Sequence, residues 1–193
     1  VEAFLNYSRV GSASMIFEPT NLNSLFSEIL MTLSEVIQEK KAVIEFKDLP
    51  VIQGDGIQLQ QLFINLISNA LKYSKPGLSP FISIRVEKVP GTADELPGGY
   101  EGNDYFKIII TDNGIGFDPQ HASKIFEVFQ RLHGRSEYEG TGMGLAIVRK
   151  IVERHKGSIR AQSEPGQGTT FSLSLPGVQN ELKPSKTIIK ELV

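Results

Sequence analysis

No cysteine occurs among the 193 residues, which removes disulfides, thiolate metal sites and cysteine nucleophiles together and fits a reducing compartment. Long apolar runs are missing as well. Nothing approaches the roughly 20 residues of a membrane span, and the opening residues, with Glu2, Asn6 and Arg9, are not those of a signal peptide. Charge of one sign is not in excess: 20 basic residues stand against 22 acidic ones for a net charge of −2. That balance offers no footing for a polyanion or an anionic membrane, so nucleic acid is not an expected partner. What is present is 40% apolar content without internal repeats, enough for the core of one soluble, cytoplasmic domain with appendages.

Apolar spacing divides the chain. Residues 1–15 carry Phe4, Leu5 and Val10 and break up at Gly11, Ser12 and Ser14, as the end of something that begins upstream. Asn21 is placed to cap a helix whose apolar residues, from Leu22 to Ile37, recur at steps of three and four, predicting one amphipathic helix to about Lys41. Short strands are expected over 43–46 and 51–53, and a second long helix over 55–73, stopped by Pro76 and Gly77. Ile82, Ile84 and Val86 alternate, as do Phe106, Ile108 and Ile110, which predicts a hairpin with a Gly- and Pro-rich connection over 90–103. Residues 113–139 are mostly loop around Ile125, Phe126 and Phe129, and a loop of that length is expected to be a functional lid. A third helix is expected over 141–155, closed by Gly157, and a final hairpin turns at Glu164-Pro-Gly-Gln-Gly-Thr169. The polar tail 177–193, with Lys183, Lys186 and Lys190, receives no function.

Three segments carry chemistry. On the helix 55–73, Gln58, Gln61, Asn65, Asn69 and Lys72 form one narrow stripe opposite Leu59, Leu62, Phe63, Leu66, Ile67 and Ala70. A solvated stripe would ordinarily be Glu and Lys. Asparagines cost helix propensity, and a neutral amide oxygen suits a hard cation whose charge phosphates already meet, which makes Asn69 a candidate magnesium ligand. The alternative is that these amides hydrogen-bond a neighbouring loop. In Thr111-Asp112-Asn113-Gly114-Ile115-Gly116-Phe117, alternate glycines let backbone approach a flat ligand, and Asp112 at the strand end can accept from an adenine amino group. A plain Asp-Asn-Gly turn is the competing reading. Gly140-Thr141-Gly142-Met143-Gly144-Leu145 opens the third helix, where glycine N–H groups and the helix N-terminus together make a phosphate cradle. Ile147 stands where a dinucleotide fingerprint needs its third glycine, and no Gly-Lys-Ser/Thr phosphate loop is present.

In this order the segments resemble bacterial sensor histidine kinases. Asn65-Leu-Ile-Ser-Asn69-Ala-Leu-Lys-Tyr73 resembles their N box, Asp112-Asn-Gly-Ile-Gly-Phe117 the G1 box, Ile125-Phe-Glu-Val-Phe-Gln-Arg131 the F box and Gly140-Thr-Gly-Met-Gly-Leu145 the G2 box. The style of Phe129-Gln-Arg-Leu-His133 is similar to kinases with PAS or phytochrome-like input modules. The resemblance implies an α+β fold: a two-layer sandwich in which a mixed, mostly antiparallel sheet is covered on one face by three helices, with an ATP lid. It implies a catalytic domain over 16–176, preceded by a remnant of the second dimerisation helix over 1–15. The implied activity is binding of ATP with Mg2+ and donation of the γ-phosphate to a histidine on an adjacent dimerisation domain. The partners implied are that domain, a response regulator receiver domain and a second copy of the full-length protein.

By the same resemblance Asn69 binds magnesium, Asp112 adenine, Lys72 and Arg131 phosphate oxygens, and Tyr73 lies beside the nucleotide. Gly114, Ile115 and Gly116 line the base site, Phe129 anchors the lid with Phe126, and Gly140, Thr141, Gly142, Met143, Gly144 and Leu145 cradle phosphate. Members that hydrolyse ATP carry a glutamate four residues before the magnesium asparagine; here that place is Asn65, and an amide cannot take the proton of an attacking water. His121, His133 and His155 lack the acidic neighbour of a phosphoacceptor, so the isolated chain is not expected to phosphorylate itself, and all three are read as structural. A serine kinase of the same fold and a nucleotide-sensing module without catalysis are the alternatives.

Overall fold

A computed structural model describes residues 7, 8, 10, 14–90, 104–132 and 141–177. The helix remnant is covered only at Tyr7, Ser8, Val10 and from Ser14 on; the connection 91–103, Gly140, His133 and the tail from 178 lie outside the described residues. The elements run β1 (Glu18–Asn21), α1 (Leu22–Thr32), α2 (Ser34–Lys40), β2 (Val43–Phe46), β3 (Val51–Gly54), α3 (Gly56–Lys72), β4 (Phe81–Pro90), β5 (Asp104–Asp112), two 3-10 turns, α4 (Gly144–Arg154), β6 (Ser158–Glu164) and β7 (Gly168–Pro176). No helix among the described residues is long and apolar enough to cross a membrane.

Five strands form the main sheet in the order β2-β4-β5-β7-β6. Only β2 and β4 are parallel; the other neighbours are antiparallel, with Ile84 opposite Ile110, Ile110 opposite Phe171, and Ala161 opposite Phe171. Strand alternation puts Ile82, Ile84, Ile108, Ile110, Phe171, Leu173 and Leu175 on one buried face. The helices cover it with Phe26 and Ile29 of α1, Leu62, Phe63, Leu66 and Ile67 of α3, and Val148, Ile151 and Val152 of α4. Phe26 and Phe63 meet with ring centroids 4.6 Å apart. The sheet is therefore mixed, mostly antiparallel, and helix-covered on one side, as expected.

Two features depart from the reading of the sequence. The amphipathic helix from Asn21 divides at Leu33 (φ −97°, ψ 8°) into α1 and α2, where one helix was expected. The Ser27 and Thr32 hydroxyls bond back to the Asn23 and Glu28 carbonyls just before the break, a habit that bends helices. The i→i−4 bonds Leu33 to Ile29 and Ile37 to Leu33 persist through it. A strand over 18–21 was also not expected; β1 pairs antiparallel with β3, Glu18 opposite Gly54.

α3 begins where Asp55 caps it, Oδ1 accepting the Gln58 N–H at 3.0 Å. The same residue ties three segments together. Its Oδ2 accepts the Ile16 N–H, and its own N–H donates to His155 Nε2 at 3.1 Å. His155, 1% exposed, ends α4 with Nδ1 against the Ile151 carbonyl at 2.8 Å. Burial holds its imidazole below the usual histidine range. α4 also receives the incoming chain, since Lys150 Nζ donates to the Tyr7 carbonyl and sits 4.0 Å from that ring's centroid, and Arg154 donates to the Val10 carbonyl.

Candidate functional site

The amide stripe of α3 is where the site begins. Asn69 lines a cleft bounded by α3, the segment 115–117, β7 and residues 125–132. Asn65, one turn earlier, does not reach it: Nδ2 donates to the Gln61 carbonyl at 2.8 Å. Its Oδ1 fits so closely under Gly144 that a Cβ there would lie 2.9 Å from it. Gln58, expected on the open stripe, is 6% exposed, and its Oε1 has no partner among the described residues.

Asp112 closes β5 at the cleft wall, 9% exposed. Its Oδ1 accepts two backbone N–H groups, from Gly114 at 2.8 Å and from Thr169 at 3.2 Å. Both bonds fall on one oxygen, so Oδ2 is the oxygen left for a ligand. Burial pushes the carboxyl above the usual carboxylate range, opposed by the Gly114 and Thr169 N–H groups and by the charge of Lys75. The turn after Asp112 is built by close backbone approach. The Ile115 N–H donates to the Tyr73 carbonyl at the end of α3 at 2.9 Å, and a Cβ on Gly114 would stand 2.6 Å from that same carbonyl oxygen. Gly116 has φ +64°, and a Cβ on it would come within 2.0 Å of the Glu164 carbonyl. The turn is thus wedged between the end of α3 and the β6–β7 turn, which positions Tyr73, Ile115 and Gly116 together on the wall.

The other end of the cleft is made by residues 125–132 and the start of α4. Ile125 and Phe126 are buried, the latter edge-on to Phe171 at 6.3 Å. Gln130, Arg131 and Leu132 reach the wall. Gly142 has φ +71°, and a Cβ there would meet the Gln130 carbonyl at 2.9 Å, so the stretch before α4 lies against the backbone of 129–130. α4 opens at Met143 with no side-chain cap, leaving its first N–H groups for an anion. Leu145 lines the cleft, Thr141 is exposed, and Met143 is buried in the core.

The structure therefore brings Asn69, Tyr73, Asp112, Ile115, Gly116, Arg131 and Leu145 to one cleft. It does not bring Lys72 there: Nζ donates to the Tyr73 hydroxyl at 2.9 Å and lies over that ring. Nor does it bring Phe129, which is 63% exposed because its backbone is left-handed (φ +62°) and turns the ring out. Sequence reasoning missed Phe117, Gln130, Leu132, Thr169 and Phe171 on the wall. Gly168-Thr169 had been read only as a hairpin turn. Its signal was the second glycine, at φ +86°, whose Cβ would stand 2.0 Å from the Asp112 carbonyl.

No group of three or more His, Asp and Glu side chains converges among the described residues. For a divalent ion here Asn69 offers one neutral amide oxygen, to be completed by phosphate and water. That donor set suits magnesium, which keeps several waters and is commonly held with substrate phosphates.

Residues 54–179 match the family described as histidine kinase-, DNA gyrase B- and HSP90-like ATPases. The phytochrome-like protein Cph1 of Synechocystis sp. is 39% identical over 176 residues, covering 91% of this chain and 22% of that protein. The chain spans about a fifth of the length of such curated relatives. Among solved structures, a mycobacterial sensor histidine kinase, MprB, superposes with a TM-score of 0.64 at 27% identity, covering 86% of this chain and 100% of that one. Full-length ShkA in complex with AMPPNP shares the fold, with a TM-score of 0.72 at 23% identity over 93% of this chain and 36% of that one.

Proposed function

Since the chain belongs to the histidine kinase-, DNA gyrase B- and HSP90-like ATPase family and is a catalytic domain of the histidine kinase kind, we propose that it binds Mg-ATP in the Asp112 cleft and donates the γ-phosphate to a histidine of an adjacent dimerisation domain in two-component signalling. The observation that carries this reading is Asp112 itself. It is a buried carboxylate with one oxygen fixed by two backbone N–H groups, which leaves the other to accept from the amino group of adenine.

Each residue then has a task. Tyr73, Ile115, Gly116 and Leu145 enclose the nucleotide, Asn69 offers its amide oxygen to magnesium, and Arg131 takes phosphate oxygens. Lys72 joins Arg131 by leaving the Tyr73 hydroxyl. The segment 140–145 supplies backbone N–H groups at the α4 N-terminus, and residues 125–132 act as the lid, with Ile125 and Phe126 as its anchors. Magnesium, when bound, screens the phosphate charge that would repel an incoming nucleophile. In the transfer, the bond between the γ-phosphorus and the β–γ bridging oxygen breaks, a new bond forms to an imidazole nitrogen of the acceptor, and ADP leaves. Asn65, an amide whose Nδ2 is given to the Gln61 carbonyl, supplies no base for water, so phosphate is kept for the acceptor. The acceptor domain is part of the longer protein, which pairs with a second copy of itself in the cytoplasm and passes phosphate on to the receiver domain of a response regulator.

The test is transfer from labelled ATP. The isolated chain should bind ATP without labelling itself or releasing phosphate appreciably, and joining it to its two-helix domain should produce acid-labile phosphohistidine. Acid-stable phosphoserine would favour the serine kinase. No transfer despite ATP binding would favour a sensing module.

A further inference from the structure

Ser163 lies on β6 directly across from Thr169 of β7, and its hydroxyl has three neighbours. The Phe117 N–H donates to Oγ at 2.9 Å, Oγ donates to the Gly168 carbonyl at 2.6 Å, and Thr169 Oγ1 lies 3.2 Å away. A serine hydroxyl has one proton and two lone pairs. The Gly168 carbonyl can only accept, so it takes the proton, and the Phe117 N–H can only donate, so it takes a lone pair. The third contact must therefore be donated by Thr169. That spends the only hydroxyl proton of Thr169 on Ser163, while Thr169 stands on the cleft wall beside Asp112 and gives its N–H to Asp112 Oδ1.

We propose that Ser163, which is not itself on the cleft wall, is a specificity-determining residue: by fixing the polarity of the Thr169 hydroxyl, it leaves Asp112 Oδ2 and Thr169 Oγ1 as neighbouring acceptors and so selects a base with an exocyclic amine. The inference rests on the reading of Asp112 as the base reader and adds a second, indirect layer to it. Adenine presents N–H donors at the exocyclic position, whereas guanine and hypoxanthine present a carbonyl there. Against two acceptors, a carbonyl is left unpaired in a partly desolvated wall. Without Ser163 the Thr169 proton is released to turn toward the cleft, and the carbonyl bases gain a donor. Ser163 also holds Phe117, through its N–H, next to this wall, so the same hydroxyl sets both the polarity and the placement of two wall residues.

The experiment is titration calorimetry of the whole chain with ATP, GTP and inosine triphosphate at fixed magnesium. Inosine triphosphate lacks the second amine of guanine, so it differs from ATP only along the N1–C6 edge, where the exocyclic amine becomes a carbonyl and N1 gains a proton. Ser163→Ala should narrow the ATP preference over inosine triphosphate about tenfold, and Ser163→Thr, which keeps the hydroxyl, should restore it. Ser163→Val, the shape of threonine without the hydroxyl, should behave like Ser163→Ala, so the Thr and Val pair decides the matter even where Ala loses the fold. Equal preference in Ser163→Thr and Ser163→Val overturns the inference. Asp112→Asn separates the two layers. A preference that falls with Asp112→Asn but not with Ser163→Val sinks only the role of Ser163, whereas one indifferent to Asp112→Asn sinks the base reading and this inference with it.

Discussion

The two ends of the cleft are built differently. At the Asp112 end the turn is set by backbone: two N–H groups on Oδ1, the Tyr73 carbonyl on Ile115, and glycines where a Cβ would stand 2.0 to 2.6 Å from a carbonyl oxygen. At the other end only part of the set assigned to phosphate is in place. Arg131 reaches the wall, but Lys72 is bound to Tyr73, Thr141 is exposed, and α4 starts uncapped. The first end is formed without a ligand. The second has its donors nearby but not gathered. Under the proposed function, the nucleotide supplies the charge around which they assemble, so that recognition of the base belongs to the fold and recognition of phosphate is completed on binding.

This contrast can be broken most forcefully at the glycines. Gly116→Ala should destabilise the chain by about 3 kcal/mol or more, because strain at positive φ adds to a backbone clash that nothing flexible can relieve. Gly166→Ala, at φ +77° with nothing within 4 Å, should cost only about 1 kcal/mol. Urea unfolding compares them, and equal losses would show that the turn after Asp112 is not wedged. Next in size is Asp112→Asn, which should leave the fold intact while lowering ATP affinity roughly 10- to 100-fold by calorimetry, since an amide can present a donor where the carboxylate accepted. Arg131→Ala should have a smaller effect, about tenfold on ATP, with adenosine binding unchanged. A parallel loss for adenosine would place Arg131 at the wrong end.

The smallest effect lies outside the cleft. His155 is held neutral, with Nε2 accepting the Asp55 N–H and burial as the main cause. Because its pKa is lowered by folding, the unfolded chain takes up a proton first as the pH falls below about 6.5. The stability it contributes is thus complete above that pH and drains away toward the folded pKa. Thermal melts of His155→Gln should lack this acid limb, and ATP affinity should not change with it.

Much of this was legible in the sequence where the signal was local. Asn21 announces the start of α1 through its cap, and Ile82, Ile84, Ile108 and Ile110 declare the core face by alternation alone. β1 was invisible because four residues with a proline, Glu18-Pro-Thr-Asn21, show no alternation; only their pairing with β3 makes them a strand. The break at Leu33 hid because the apolar spacing continues through it. Within the site, Asn69, Asp112 and the glycines could be named from their residue types. The bond of Lys72 to Tyr73 and the outward Phe129 depend on a rotamer and a left-handed φ that composition does not encode. Ser163 and Thr169 matter only because two strands bring them opposite each other and beside Asp112.

That last juxtaposition has a kinetic consequence. The bond between Asp112 and Thr169 spans 57 residues and exists only once β5 and β7 are in register, a closure slower than the β6–β7 hairpin beside it. A chain that has formed its local hairpins and helices but not this pairing has no base site. Under the proposed function, ATP then binds the finished sheet and not a precursor that lacks this pairing, so its binding stabilises the folded chain against unfolding.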